Sequence, residues 1–115
     1  MSADPVDGGR AGMVGLKILL VEDDPDDVVL FGALLGRVAP MSGFEHVDNM
    51  DDARAKLDGA GFDLCFFDYH LGADTGLDLL RTVRNDGFDR PIVMLTGQGD
   101  EAVAVEAMKS GATDY

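Results

Sequence analysis

The chain has 115 residues, which suits a single domain, and 46% of them are apolar, enough for an ordinary globular core. Its net charge of −13 leaves it without the excess of Lys and Arg that nucleic acid or an anionic membrane surface would require. The lone cysteine, Cys65, excludes an internal disulfide, and its position in an apolar run is typical of a core side chain. The composition favours the reducing cytoplasm and would suit a site for a hard cation.

The beginning of the chain predicts a flexible tail followed by a strand and a helix. Residues 1–14 carry Gly, Asp and Pro without a period, so we expect the folded domain to span 15–115. LKILLV at 16–21 predicts a strand. Asp24 before Pro25 predicts a helix start, with Asp24 as the N-cap. Apolar residues then recur at helical spacing at Val28, Phe31, Leu34, Leu35 and Val38.

Strands and helices continue to alternate along the rest of the chain. The predicted elements are a strand at 44–47, a helix at 51–58, a strand at 63–68, a Gly-bearing loop at 70–76, a helix at 77–84, a strand at 92–95 and a helix from an Asp100 cap to Met108, ended by Gly111. Ala53, Leu57, Leu80, Val83 and Met108 are predicted to face inward. This alternation predicts an α/β domain with a doubly wound parallel sheet covered on both faces.

Polar residues follow three of the predicted strands. Glu22 and Asp23 follow the first strand, Asp68 ends the third, and Thr96 and Gly97 follow the fourth. In the doubly wound order 2-1-3-4 these strands are neighbours, so their carboxyl ends would bring the polar residues to one edge of the sheet. Three carboxylates at one edge repel one another, and Mg²⁺ or Mn²⁺ would offset that repulsion. We therefore predict a metal-assisted phosphoryl site with Asp68 as a possible nucleophile.

Each of these acids also has a simpler interpretation. Asp24 is sufficiently explained as a cap, and any one of Glu22, Asp23 or Asp68 alone is more often a solvated strand end than a ligand. His70 beside the carboxylates is more typical of a solvent-facing loop residue than of a metal ligand. The hypothesis of a site therefore depends on the acids occurring together.

Three stretches carry a resemblance to a known family. KILLVEDDPDD, CFFDYHLGADTGLDLL and RPIVMLTGQGDEAVAVEAMKSGATDY resemble, in order and spacing, the receiver domain of bacterial two-component response regulators, from about Leu16 to Tyr115. The resemblance implies a flavodoxin-like sheet of order 2-1-3-4-5. It also implies a signalling switch that catalyses only its own phosphorylation and dephosphorylation, rather than an enzyme with a separate substrate.

The resemblance assigns roles to the residues at the strand ends. It implies that Asp68 accepts a phosphoryl group from a sensor histidine kinase or phosphotransfer protein. Asp23, Glu22, Asp68 and the main-chain carbonyl of His70 would hold Mg²⁺, and Thr96 would bind the phosphoryl group.

Further residues are assigned to the switch and to the lifetime of the phosphoryl group. The resemblance implies that Gly97 leaves room beside the phosphate. It also places Tyr115 at the aromatic switch position, whose ring would turn inward when Thr96 moves. His70 and Gln98 flank the phosphoryl group and would tune its lifetime.

The sequence departs from the family at its end. A near-invariant Lys, expected three residues after Tyr115, is absent, and Lys17, Lys56 and Lys109 are all predicted to lie away from Asp68. We therefore expect the domain to be incomplete before the end of strand 5 and helix 5. Apolar surface left uncovered in this way would promote self-association.

Two alternatives remain open. A receiver-like docking module that is never phosphorylated would not need the acidic set, and Mg²⁺ binding distinguishes it from the switch. A phosphatase of the haloacid-dehalogenase type would hydrolyse phosphomonoesters, but it requires a second Asp where this chain has His70.

Overall fold

The computed structural model describes residues 15–59, 61–97 and 101–114. In chain order its elements are β1 (Lys17–Val21), α1 (Pro25–Val38), β2 (Gly43–Val47), α2 (Met50–Leu57), β3 (Leu64–Asp68), β4 (His70–Leu71), β5 (Asp74–Thr75), α3 (Gly76–Asn85), β6 (Ile92–Leu95) and α4 (Glu101–Lys109). The predicted strands and helices are all present, with ends that differ by at most one residue. The tail predicted at 1–14 and the Asp100 cap lie outside the described residues.

Four parallel strands form the main sheet in the order β2-β1-β3-β6. This order confirms the predicted α/β doubly wound arrangement. β1 and β3 lie side by side at the centre, with Val21 opposite Phe67. β6 continues the sheet beside β3, with Leu95 opposite Asp68. The carboxyl ends of β1, β3 and β6 therefore meet at one edge.

Short-range capping explains where three helices begin. The side chain of Asp24 accepts a hydrogen bond from the main-chain N–H of Asp26, and Pro25 starts α1, as predicted. Asn49 caps α2 and Thr75 caps α3 in the same way. Each cap satisfies a main-chain N–H group in the first turn of its helix.

One face of the sheet carries most of the core. Along β3 the alternate side chains of Cys65 and Phe67 are fully buried, and this periodicity of two is that of a strand with two different faces. They belong to an apolar cluster with Leu79 and Leu80 of α3 and Ala107 of α4. The prediction that Cys65 is a core residue is confirmed.

The opposite face is covered mainly by α1, and the cover is partial. Phe31 packs edge-on against Phe44 and Phe66, with ring centroids 5.2 and 4.9 Å apart. Leu34 and Val38 belong to the apolar pattern of the helix, yet they are 50% and 81% exposed. The sheet contacts the helix around Phe31, and these two side chains lie beyond that contact.

Two further details differ from the sequence prediction. The segment predicted as a loop at 70–76 contains a short antiparallel hairpin of β4 and β5, and α3 starts at Gly76. Met108, predicted to face the sheet, is 43% exposed, because Ala104 and Ala107 form the buried side of α4. Small side chains here allow the helix to lie close to the core.

The end of α4 leads to a further strand position. Gly111 has φ +109°, a left-handed conformation that suits glycine, and it follows the helix as predicted. Asp114 then forms an isolated parallel bridge with Val93, on the free side of β6. Among the described residues, no helix has the length and apolar character needed to cross a membrane.

Candidate functional site

Three carboxylates converge at the carboxyl edge of the sheet. Glu22, Asp23 and Asp68 each place an oxygen within 4.8 Å of the others. Glu22 is buried, Asp68 is half-buried and Asp23 is exposed, so the cluster extends from the sheet to the solvent. The predicted convergence of these three acids is therefore present in the structure.

The sheet itself sets this arrangement. Because Val21 lies opposite Phe67, the next residues, Glu22 and Asp68, are neighbours at the ends of two adjacent strands. The main-chain N–H of Glu22 donates to the carbonyl oxygen of Val47 at 3.0 Å, which continues the ladder to the edge strand. An acid at each of these positions cannot avoid the other without breaking the register.

Glu22 is the most perturbed acid of the cluster. It is 4% exposed, and burial raises its pKa to about 7, helped by the nearby Asp68 and Asp27. The main-chain N–H of Asp24 donates to its Oε2 at 3.3 Å and partly opposes this effect. Around neutral pH Glu22 can therefore carry a proton and share it with the Asp68 carboxylate.

The carboxyl group of Asp68 has a raised pKa, to which its neighbours make opposing contributions. Burial raises the pKa of this carboxyl group, while a hydrogen bond with Glu22 lowers it and the charge of Asp23 raises it. The main-chain N–H of His70 also hydrogen-bonds the Asp68 carboxyl group and favours its charged form. A half-buried carboxylate at the end of a central strand is a suitable oxygen nucleophile.

Two supporting contacts were not anticipated from the sequence. The ring nitrogen Nε2 of His46 lies 2.7 Å from the carbonyl oxygen of Glu22, so this nitrogen carries the proton and donates. The main-chain N–H of Gly72 donates to Oδ2 of Asp23 at 3.1 Å. Both contacts join residues far apart in the chain, and no local sequence motif predicts either of them.

Gly76 is a third feature that sequence reasoning missed. A Cβ at this position would collide with the carbonyl oxygen of Asp68 and would lie 3.1 Å from Cε of Met94. The main-chain N–H of Gly76 donates to the carbonyl oxygen of Tyr69 at 2.7 Å. The start of α3 therefore packs directly on the backbone of the central acid.

The other predicted site residues are placed as follows. Thr96 and Gly97 follow β6 directly, and Thr96 is half-buried beside the strand end that carries Asp68. The His70 side chain is exposed and meets the Tyr69 ring edge-on. Gln98 and Tyr115 lie outside the described residues.

The lysines of the chain are placed away from the site, as expected. Lys17 begins β1 at the opposite end of the sheet, and Lys109 is the last residue of α4. Lys56 is paired with Glu45, with 2.7 Å between Nζ and Oε1.

The donor set fits a hard divalent cation. All three side chains offer carboxylate oxygens, which are the ligands that Mg²⁺ and Mn²⁺ prefer. Buried Glu22 has a second acid within 4.8 Å, an arrangement that is costly unless a proton or a cation offsets the charge.

The chain is similar in sequence to known signalling proteins. The sequence profile described as "Response regulator receiver domain" matches residues 18–115. Over 99 residues the chain is 34% identical to the response regulator protein PilR of Pseudomonas aeruginosa, covering 86% of this chain and 22% of that protein. It is 32% identical over 107 residues to the phosphate regulon transcriptional regulatory protein PhoB of the same organism, covering 90% of this chain and 45% of that protein.

The chain is also similar in structure to solved response regulators. The activated N-terminal receiver domain of RstA from Klebsiella pneumoniae has a TM-score of 0.76 at 30% identity, covering 86% of this chain and 82% of that one. A response regulator from Burkholderia pseudomallei has a TM-score of 0.74 at 29% identity, covering 87% of this chain and 58% of that one. That structure contains a phosphorylated aspartic acid, a calcium ion and citrate. The chain spans less than half the length of the two curated relatives.

Proposed function

Since the chain belongs to the response regulator receiver domain family, we propose that it is a phosphoacceptor switch of a two-component phosphorelay, with Asp68 as the acceptor. The observation that carries this proposal is the position of Asp68. It is half-buried at the end of a central strand and shares its site with Glu22 and Asp23. A phosphorylated aspartic acid in the similar Burkholderia protein supports the same chemistry here.

The proposed reaction is transfer of a phosphoryl group from a phosphohistidine. A carboxylate oxygen of Asp68 forms a bond to phosphorus, and the bond between phosphorus and the imidazole nitrogen of the donor breaks. The imidazole leaves with the electron pair, and Asp68 becomes an acyl phosphate. Positioning and charge neutralisation supply most of the acceleration in such transfers, so the residues around Asp68 need only hold the reactants in line.

Glu22, Asp23, Asp68 and the main-chain carbonyl of His70 are proposed to hold Mg²⁺. A bound divalent cation would neutralise charge on the acids and on the transferred phosphoryl oxygens. The contribution of the chain is to hold the carboxyl groups of Glu22 and Asp23 close together, which the strand register and the main-chain donors favour.

Residues after β6 are proposed to read the state of Asp68. The Thr96 hydroxyl would hydrogen-bond the phosphoryl group, and Gly97 leaves space beside it. Tyr115 would respond as the aromatic switch, and His70 and Gln98 would tune the lifetime of the acyl phosphate. Such a switch shifts the population between two arrangements rather than creating a new one.

We further propose a sensor histidine kinase or a phosphotransfer protein as the partner and the cytoplasm as the setting. Receiver domains of response regulators are signalling domains, so no turnover of a separate substrate is proposed. The unpaired, buried Cys65 suits a reducing compartment.

The test is the intact mass of the protein after incubation with acetyl phosphate and Mg²⁺. We expect a gain of one phosphoryl group in the wild-type chain and no gain in Asp68→Asn. Asp26→Asn is the matched control, because Asp26 is an exposed acid in the first turn of α1 and has no assigned role. It should be phosphorylated like the wild type.

Two results would contradict the proposal. A phosphoryl gain that persists in Asp68→Asn would place the modification elsewhere. No gain in a folded wild-type chain that binds Mg²⁺ would leave a docking role for the receiver fold.

A further inference from the structure

We propose that the main-chain amide of Gly72 positions Asp23 for metal binding and so couples the hairpin of β4 and β5 to the acidic cluster. This inference rests on the proposed function, since it concerns the same metal site. It assigns a role to a residue outside the three acids, one that acts through Asp23 and does not touch the phosphoryl group.

The geometry of the hairpin makes the amide available. His70 pairs with Thr75 and Leu71 with Asp74, which leaves Gly72 and Ala73 as a two-residue turn. Gly72 has φ +64°, as the first position of such hairpin turns requires. The N–H at this position is not part of the strand ladder, and here it donates to Oδ2 of Asp23 at 3.1 Å.

The base of the hairpin is anchored, so its tip is a defined donor. The Leu71 side chain is 4% exposed and belongs to the main core cluster. At the other end, the N–H of Gly76 donates to the carbonyl oxygen of Tyr69 at 2.7 Å. Gly76 also packs on the carbonyl of Asp68. The hairpin therefore leaves β3 at Asp68, returns to it at Gly76, and reaches Asp23 between these two contacts.

The consequence concerns Asp23, the most exposed acid of the cluster. An exposed carboxylate without a partner samples several rotamers, and binding a cation would have to restrict them. The Gly72 amide already restricts them, while the other carboxylate oxygen keeps its lone pairs. Hydrogen bonds to metal-ligating carboxylates orient the ligand in this way and raise the affinity of a site.

The hydrogen bond is first tested by NMR on the metal-free, ¹⁵N-labelled chain. Replacing Asp23 by Asn removes the charge of the acceptor, so the Gly72 amide proton should move upfield. Gly87 provides an internal control, because it too is an exposed glycine with positive φ, but it follows α3 and lies away from the acids. Its amide resonance should not change. A Gly72 amide proton whose chemical shift does not change in Asp23→Asn would overturn the proposal.

The positioning role is tested by Mg²⁺ affinity, measured by calorimetry. Gly72→Val disfavours the positive φ and should displace the amide, weakening Mg²⁺ binding by up to about tenfold. Gly87→Val also places a β-branched residue at positive φ, in a site that is equally open, and should leave the Mg²⁺ affinity unchanged. Gly72→Asn keeps the N–H and tolerates the left-handed conformation, so the variant should bind Mg²⁺ with the wild-type affinity.

The outcomes separate this inference from the proposed function. Equal Mg²⁺ affinity in Gly72→Val and the wild type would overturn the positioning role, and so would an equal loss in Gly87→Val. If Gly72→Val does not fold, the NMR result on the Asp23 substitution decides instead. A chain that binds Mg²⁺ with the predicted dependence on Gly72, yet accepts no phosphoryl group at Asp68, would refute the proposed function and keep this inference.

Discussion

The carboxyl groups of Glu22 and Asp68 have oxygens within 4.8 Å of each other at the ends of two adjacent parallel strands. Glu22 is buried there, and its pKa rises to about 7, so one proton is retained near neutral pH. The pair is therefore an acid contact that a proton or a divalent cation can satisfy. Because a proton and a divalent cation compete for this pair, we make one prediction on stability and one on metal binding.

Stability of the metal-free chain should fall as pH rises through the pKa of Glu22. The folded state holds the Glu22 proton up to about pH 7, whereas the unfolded chain releases it near 4.5. Stability decreases with pH wherever the folded state binds more protons. Glu22→Gln cannot ionise, so its Tm should approach that of the wild type at pH 5 and exceed it at pH 8, compared by thermal unfolding in EDTA at about those two pH values.

Glu45→Gln provides the contrast for this measurement. Glu45 is exposed, and its hydrogen bond with Lys56 lowers its pKa, so its charged form is favoured in the fold. Its substitution should bring no gain in Tm at the higher pH. A Glu22→Gln chain whose Tm runs parallel to the wild type across the whole range would refute the assignment of the retained proton.

Magnesium binding should release a proton from the Glu22–Asp68 pair. Below the raised pKa of Glu22 the cation must displace that proton, so the affinity should fall by up to about tenfold for each pH unit below 7. Calorimetry in two buffers of different ionisation enthalpy counts the protons released. We expect close to one proton released per bound Mg²⁺ at pH 6 and close to none at pH 8. Glu22→Gln should release fewer protons at pH 6, and an unchanged count would contradict this origin.

Gly76→Ala should disturb Asp68 from outside the acidic cluster. Its Cβ would collide with the carbonyl oxygen of Asp68, so we expect a loss of about 1–3 kcal/mol in the free energy of unfolding, as for other overpacked sites. Slower phosphorylation by acetyl phosphate should accompany it. Gly36→Ala is the control, because Gly36 lies in α1 with open space around it and should gain about 0.5–1 kcal/mol. Denaturant unfolding compares the variants, and equal effects would show that the contact with Asp68 is unimportant.

The order of elements and the location of the three acids could be predicted because both depend on local features of the sequence. Apolar runs mark the strands, and the Asp24-Pro25 pair marks the start of α1. In the doubly wound strand order β1 and β3 are neighbours, and this places Glu22 and Asp68 together. The strand order itself follows from the rules of sheet topology.

The remaining features could not be predicted because they depend on contacts between distant residues. The hydrogen bond from Gly72 to Asp23 follows from the geometry of a hairpin tip, and that from His46 to Glu22 follows from the geometry of an edge strand. Neither geometry has a sequence motif here. The exposure of Leu34 has a similar cause, because helical spacing defines a face but not how much of it a neighbour covers.

Arg84 should be a main stabilising contact at the opposite end of the domain from the acids. Its Nε donates to the carbonyl oxygen of Gly111 at 2.9 Å, and Nη1 donates to those of Phe88 and Arg90 at 2.8 Å each. One guanidinium therefore joins the end of α3, the segment before β6 and the turn after α4. Arg84→Met leaves these carbonyl oxygens without their donor, so we expect a loss of about 2–3 kcal/mol in the free energy of unfolding.

Two comparisons test whether the forked geometry or merely the positive charge matters. Arg84→Lys keeps the charge but cannot reach three carbonyl oxygens with a planar fork, so it should recover only a part of the loss. Arg37→Ala, at an exposed position in the last turn of α1, should change stability by less than about 0.5 kcal/mol. If Arg84→Lys were as stable as the wild type in urea unfolding, a single charge would suffice and the proposed role of the fork would be wrong. Mg²⁺ affinity should be the same in all three variants, because the acidic cluster lies at the other end of the sheet.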